Sequence, residues 1–422
     1  TGAEVREQNR ILQENSKIPL IIACNTENGG NGACTDGTMI GQQTKIGATR
    51  DARYAYELGR MSNKEAAAIG CNLSFAPVSD ILYNWENPVI GLRTYGNDVD
   101  RVCEMTKAYM DGAHTNEGFC CAAKHFPGDG LDFRDQHVAD SVNDMSCEEW
   151  DASYGKVYQN LIDNGLEAIM AGHIMQPAYT RHFNPGIKDE DIMPATLSPE
   201  LIEGLLRGKL GFNGMVLTDA SHMVGLTCCM KRSEMLPHTI AAGVDMFLFF
   251  NEMDEDFASM MAGYENGIIT EERLNDALHR ILALKAHMGL HKKAKNEIVP
   301  PVEVMEQVVG CEEHKAMARE ISEKVITLVK YKDEDVLPMI PSRYKRIMIV
   351  SVSGLSAGVM GTMMAKYMGG GKKSPAERLR DKLIEKGFDA FIYESPLDAL
   401  AKRAAAGEKV DINMYFAGKT PI

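Results

Sequence analysis

The stretch Ala122-Ala-Lys-His-Phe-Pro-Gly-Asp-Gly130, followed shortly by Asp135-Gln-His137, decides how the rest of the chain is read. A run of small and apolar residues, Gly118 to Ala123, ends in the charged pair Lys124-His125. Pro127, Gly128 and Gly130 then stop regular structure. An apolar strand that delivers Lys and His to its C-terminal end, followed by a Gly/Pro loop carrying further Asp and His, is how an α/β barrel builds a polar active site. The layout recurs at Gly214-Met-Val-Leu-Thr-Asp219, where an apolar strand ends on a carboxylate. Two strand ends carrying charge into one mouth indicate an enzyme.

Outward from this centre, short apolar runs alternate with amphipathic stretches. Strands are predicted near 18–25, 71–79, 118–124, 166–173, 214–219 and 243–250. Ser146-Cys-Glu-Glu149 is a capping-box pattern for a helix running to about Gly165. Ser198-Pro199 supplies an N-cap and an N1 proline for a helix that Gly211 ends. Thr270 starts a long periodic helix that stops at Gly289. Near-continuous apolar strands alternating with helices predict a parallel sheet covered on both faces, here a TIM-type (β/α)8 barrel over residues 1–290. A closed barrel needs eight strands and six are recognisable; the first is expected upstream, since Thr1-Gly-Ala-Glu-Val-Arg-Glu-Gln8 reads as the inside of the helix that would follow it.

Residues 291–342 read as a connector with one helix near 303–328, and residues 343–422 as a partial α/β sandwich. The strand Arg346–Ser351, a helix after Ser374-Pro375 and the strand Phe388–Tyr393 open that sandwich. No G-x-G-x-x-G follows the first of these strands, so no dinucleotide site is expected, and Gly369–Gly371 reads as a loop.

The length of 422 residues suits a barrel plus a second domain, and 45% apolar residues leave plenty to bury. A net charge of −14 argues against nucleic acid, and no apolar run is long enough to cross a bilayer. Ten cysteines without a C-x-x-C, several inside apolar runs, suit a reducing, cytoplasmic setting better than a disulfide framework. Oligomeric state is not legible.

Asp219 is the candidate nucleophile; the alternative is an N-cap for the helix that follows. His137 is the candidate acid/base, since an imidazole both gives and takes a proton near neutral pH; otherwise it is a solvated loop residue. Asp135 lies on the same side of an extended segment, where it can bond one ring nitrogen and fix the tautomer. Lys124 and His125 can hold hydroxyls or a carboxylate, or Lys124 can neutralise a nearby acid. His173 ends the 166–172 strand in the same register, facing the mouth or satisfied by a backbone carbonyl. Arg93, in Gly91-Leu-Arg-Thr-Tyr-Gly96, offers a bidentate contact from a loop. His125, Asp129, Asp132, Asp135 and His137 crowd together, but the strong zinc signatures are missing, so neither a metal nor a cofactor is expected.

Together these segments resemble glycoside hydrolase family 3, in its β-N-acetylglucosaminidase branch. The motifs are Lys124-His-Phe-Pro-Gly-Asp-Gly130, Asp135-Gln-His137, Leu73-Ser-Phe-Ala-Pro-Val78, Arg93-Thr-Tyr-Gly96, Gly172-His173 and Leu217-Thr-Asp219. The resemblance implies that Asp219 attacks the anomeric carbon, that His137 with Asp135 is the acid/base, and that Arg93, Lys124, His125 and His173 grip the −1 sugar. Many relatives carry an Asp where this chain has Asn25, so contact with the outer hydroxyls falls to Asn25 or Glu27. The implied reaction is release of terminal β-linked N-acetylglucosamine with retention, from a small carbohydrate substrate. Alternatives are a family 3 β-glucosidase or β-xylosidase, transfer to phosphate, and a catalytically impaired carbohydrate-binding relative.

Overall fold

The computed structural model describes residues 1–330, 337–351, 373–394 and 403; the stretch Gly354 to Gly371, with its Gly run, lies outside them. The chain divides into two compact units, Thr1–Ile326 and Thr327–Ile422.

The first unit is built on one parallel sheet of six strands in sequence order. They are β1 (Ala23–Cys24), β2 (Leu73–Ser74), β3 (Cys120–Phe126), β4 (Ala168–Ala171), β5 (Met215–Ala220) and β6 (Met246–Leu248). The unit opens with α1 (Gly2–Asn15), for which Thr1 is the N-cap rather than helix interior. Between successive strands lie the helices α2 (Ala52–Ala68), α3 (Val99–Ala113), α4 (Lys156–Asp163), α5 (Glu200–Lys209, wound as a π-helix) and α6 (Arg232–Ala241), and after β6 comes α7 (Glu271–His287). Each strand overlaps one of the six expected runs, although β3 continues to Phe126 and β5 to Ala220, past the expected ends at 124 and 219. Among the described residues β1 and β6 are the free edges, so the sheet is an open barrel of six staves rather than a closed one of eight.

Strand alternation sorts the core into two layers. Cys121, Ala123, Ile169, Ala171 and Val216 face outward and pack under the helices with Tyr109, Trp150, Tyr158, Leu201 and Leu205. Leu73, Cys120, Ala122, Ala168, Met170, Met215 and Leu217 face inward. Their small members leave room inside, and Leu284, Met288, Leu290 and Ile298 fill it. The C-terminal part of α7 and the segment after it therefore plug the open barrel from within. Each such buried side chain contributes about 2 kcal/mol.

Local signals end the helices where the chemistry requires. Ser146 and Glu149 form the reciprocal capping box, and Thr270 accepts from the Arg273 amide at the start of α7. Gly289 adopts the left-handed conformation that stops α7. Where one helix over 303–328 was expected there are two, α8 (Val302–Val308) and α9 (Glu312–Lys324). Gly310 between them has φ +63°, which no continuous right-handed helix accommodates. At the base of the sheet Asp245, fully buried, takes Arg207 at 2.9 Å and Arg280 at 3.3 Å and also pairs with Arg273, pinning α5 and α7 to β6. All ten cysteines are free thiols. No helix among the described residues is long and apolar enough to cross a membrane.

The second unit contains a parallel pair, β7 (Arg346–Ile349) and β8 (Asp389–Ile392), joined through α10 (Pro375–Glu385) with its Ser374/Glu377 capping box.

Candidate active site

The site grows from the C-terminal ends of β1, β2, β3 and β5. Along β3 the register with β4 slips between Lys124 and Phe126, so His125 is an extra residue in the strand. Such a bulge re-aims side chains, and here Lys124 and His125 both reach the polar end. The loop beyond is clamped by packing. A Cβ at Gly128 would sit 2.2 Å from the Tyr154 ring and one at Gly130 2.1 Å from the Ile81 carbonyl, and both have positive φ. Only glycine fits at these two positions.

Asp219, on β5, is 17% exposed, and His125 Nε2 lies 3.8 Å from its Oδ2. The helix that follows starts at Val224 with Met223 as its N-cap, so Asp219 caps nothing. It accepts a hydrogen bond from its neighbour's amide, Ala220 N, at 2.7 Å. Burial opposes its ionisation, but His125, His173 and Lys124 outweigh burial and hold the carboxyl below its ordinary value. Asp219 is thus kept as a carboxylate with room to react.

His125 is itself held from behind. Asp80 accepts from its Nδ1 at 2.7 Å and from its backbone amide at 3.2 Å. Asp80 also accepts from the Asp129 amide at 2.8 Å. Burial and the neighbouring Asp80 charge push the Asp129 carboxyl up to about 6. Asp129 in turn accepts from Asn87 Nδ2 at 2.8 Å and Gln136 Nε2 at 3.3 Å, which ties two loops together.

Glu27 sits between two cations. Arg93 grips it bidentately at 2.8 and 2.9 Å, and Lys124 Nζ lies 2.5 Å from Oε1. Burial would raise its pKa, but Lys124 and Arg93 hold it far below the usual carboxylate range. Lys124 also reaches Asn25 Oδ1 at 3.4 Å. Arg93 Nη2 lies 3.4 Å from His125 Nε2, so these side chains form one patch beside Asp219.

His137 and Asp135 pair as expected, but by a turn rather than an extended segment. Val138 N and Ala139 N both bond Asp135 O, and the Asp135 carboxylate accepts from His137 N at 2.8 Å and pairs with Nδ1 at 2.6 Å. The His137 ring is 52% exposed. The loop is stitched to the segment after Asp219: Val224 N bonds His137 O at 3.1 Å and Gly225 N bonds Gln136 O at 3.0 Å. Among the described residues no hydrogen bond or ion pair joins His137 to Asp219 directly. His173, next to both, has each ring nitrogen occupied, Nδ1 by Thr196 Oγ1 and Nε2 by Ala220 O, both at 3.0 Å. Its amide donates to Gln136 Oε1 at 2.8 Å. Burial lowers its pKa. The crowd of His125, Asp129, Asp132, Asp135 and His137 does not converge on one point: Asp135 and His137 pair with each other, His125 and Asp129 share Asp80, and Asp132 pairs with Arg134 at 2.7 Å.

Asp80 and Gln136 escaped the sequence reading. Asp80 was signalled by an acid just past the apolar run ending at Val78. Gln136 carried no signal in the sequence; only its full burial between Asp135 and His137 marks it.

An ionised strand-tip carboxylate among imidazoles, in a polar mouth at the C-terminal face of a parallel barrel, is the equipment of a glycosidase. The chain belongs to glycosyl hydrolase family 3: residues 1–284 match the model of that family's N-terminal domain. It is 40% identical over 395 residues to a β-N-acetylglucosaminidase/β-glucosidase of Cellulomonas fimi, covering 93% of this chain and 67% of that protein. A solved β-glucoside phosphorylase, BglX, bound to 2FGlc is 41% identical with a TM-score of 0.86, covering 96% of this chain and 71% of that one. A family 3 β-N-acetylglucosaminidase from Paenibacillus is 26% identical with a TM-score of 0.78, covering 99% and 78%.

Proposed function

We propose that the protein cleaves terminal β-linked N-acetylglucosamine from small glycosides by double displacement, with Asp219 as nucleophile and His137, oriented by Asp135, as acid/base. Asp219 Oδ bonds to the anomeric carbon as the glycosidic C–O bond breaks, and the His137 proton goes to the departing oxygen. The acceptor then gives its proton to His137, bonds the same carbon and releases Asp219. The observation that carries this reading is the carboxylate of Asp219, held ionised against burial beside a loop that presents the His137–Asp135 pair. Arg93, Lys124 and His125 would take sugar hydroxyls, with Asn25 and Glu27 setting the outer ones. His173, with both nitrogens occupied, braces Ala220 and hence the reacting strand end.

The likeness to a β-glucoside phosphorylase favours a second reading, in which the acceptor is phosphate and the sugar is glucose or N-acetylglucosamine. A neutral imidazole, unlike a second carboxylate, does not repel an anionic acceptor. One experiment tests the core claim: incubation with a slow 2-fluoro glycosyl donor, then peptide mass spectrometry. Label on Asp219 supports it, and label elsewhere or none refutes it. Turnover of aryl N-acetylglucosaminide against aryl glucoside, with and without phosphate, then fixes sugar and acceptor.

A further inference from the structure

The face of the sheet opposite the mouth carries a second cluster of donor atoms, drawn from four distant parts of the chain. Cys120 is the first residue of β3, Glu167 directly precedes β4, His114 follows α3, and His287 ends α7. The Cys120 thiol, a Glu167 carboxylate oxygen and a His287 ring nitrogen all lie within 4.8 Å of one another. His287 Nε2 is 3.6 Å from Glu167 Oε1, and His114 Nε2 approaches the same oxygen at 2.8 Å. The Cys121 amide donates to Oε2 at 3.1 Å, so the carboxylate is fixed from its other side. A cavity of about 380 Å3, lined by Glu167, Met215, Asp276, His279, Arg280 and His287, opens onto the cluster.

We propose that Cys120, Glu167 and His287 bind a zinc ion at the base of the barrel, with solvent from the cavity as fourth ligand. Thiolate, imidazole and carboxylate are the donors zinc takes, whereas calcium and magnesium require oxygen alone. Tetrahedral bonds of about 2.0–2.3 Å place ligand atoms about 3.3–3.6 Å apart, which the His287–Glu167 separation already meets. His114 steadies the carboxylate from outside the ligand set, the role imidazole–carboxylate pairs play around such ions. The ion joins the end of α7 to the starts of β3 and β4 and so braces the helix whose apolar side fills the barrel. It lies away from Asp219, and its work is structural.

The test uses the full chain, stripped with a chelator and titrated with zinc chloride by calorimetry, then with cobalt(II) by absorption spectroscopy. The expected result is one equivalent bound, a thiolate-to-cobalt band in the near ultraviolet, and a melting temperature that rises with zinc. His287→Ala, at a position 64% exposed and safe for folding, should weaken zinc at least about tenfold. Cys120→Ala should abolish the cobalt band, and Asp219→Asn should leave both unchanged. Absence of stoichiometric binding, unchanged affinity in His287→Ala, or loss of binding in Asp219→Asn each overturns the proposal.

Discussion

Replacing His125 with Gln removes the strongest attraction acting on the candidate nucleophile, and the consequence can be worked from the distance. Gln retains a donor for Asp80, so the buried acid behind the ring keeps a partner. At 3.8 Å and an effective dielectric of about 20, the attraction a protonated ring exerts on the Asp219 carboxylate has a ceiling of about 4 kcal/mol. Solvent at the mouth, and Lys124 and His173, which stay in place, keep the loss below that ceiling, and the Asp219 pKa rises. The sign follows from the depressed pKa. Asp219 is an active carboxylate above that pKa and is lost as pH falls through it, so raising it moves the loss to higher pH. The assay is kcat/KM against pH on whichever aryl glycoside turns over, where the acid limb reports the free enzyme. An acid limb displaced to higher pH is expected, with activity at a fixed pH on that limb falling relative to the wild type. A limb that stays put while the plateau drops would show that His125 serves the substrate alone.

His137→Ala should slow poor leaving groups by about 100-fold or more and activated aryl leaving groups far less, measured as a leaving-group series; a uniform loss would remove His137 from proton transfer. Glu27→Gln strips Arg93 and Lys124 of their shared partner and should cost about 3–5 kcal/mol in urea denaturation at pH 7. Because Glu27 has a lowered folded pKa, its stabilisation is present above the unfolded carboxylate value and fades as pH falls, so the gap between variant and wild type should narrow in acid. Asp129 has the opposite sign. Its folded pKa is raised to about 6, so its contribution is complete below the unfolded value and is lost as pH rises through about 6. Asp129→Asn, which keeps an acceptor for Asn87 and Gly130, should flatten the fall in stability between pH 4 and 6 by at most about 3 kcal/mol, read from denaturation midpoints.

The six staves were legible because buried parallel strands are continuous apolar runs, and the mouth was legible because charge at the end of such a run has few other uses. Asp219, Lys124 and His125 are strand-end residues of this kind. What stayed hidden depends on contacts between distant segments. Asp80 matters because its carboxylate meets the ring of His125, 45 residues on, and the amide of Asp129. The Asp135–His137 pairing was read correctly from the wrong backbone, since an Asp that accepts from the amide two residues later begins a turn and no periodicity records it. The break at Gly310 was missed because the apolar pattern continues across it. His114, Cys120, Glu167 and His287 share no motif spacing, and only the return of α7 to the base of the sheet brings the last of them in.

The filling of the barrel by Leu284, Met288, Leu290 and Ile298 bears on how the domain can be cut. The stretch matching the family model stops at residue 284, short of three of these four side chains. A fragment trimmed there would keep all six strands of the barrel sheet and every proposed active-site residue yet open a wet hollow beneath them. Three such residues at about 2 kcal/mol each amount to about 6 kcal/mol, comparable with the whole stability of an ordinary domain. In this protein the boundary of autonomous folding lies downstream of the boundary of chemistry.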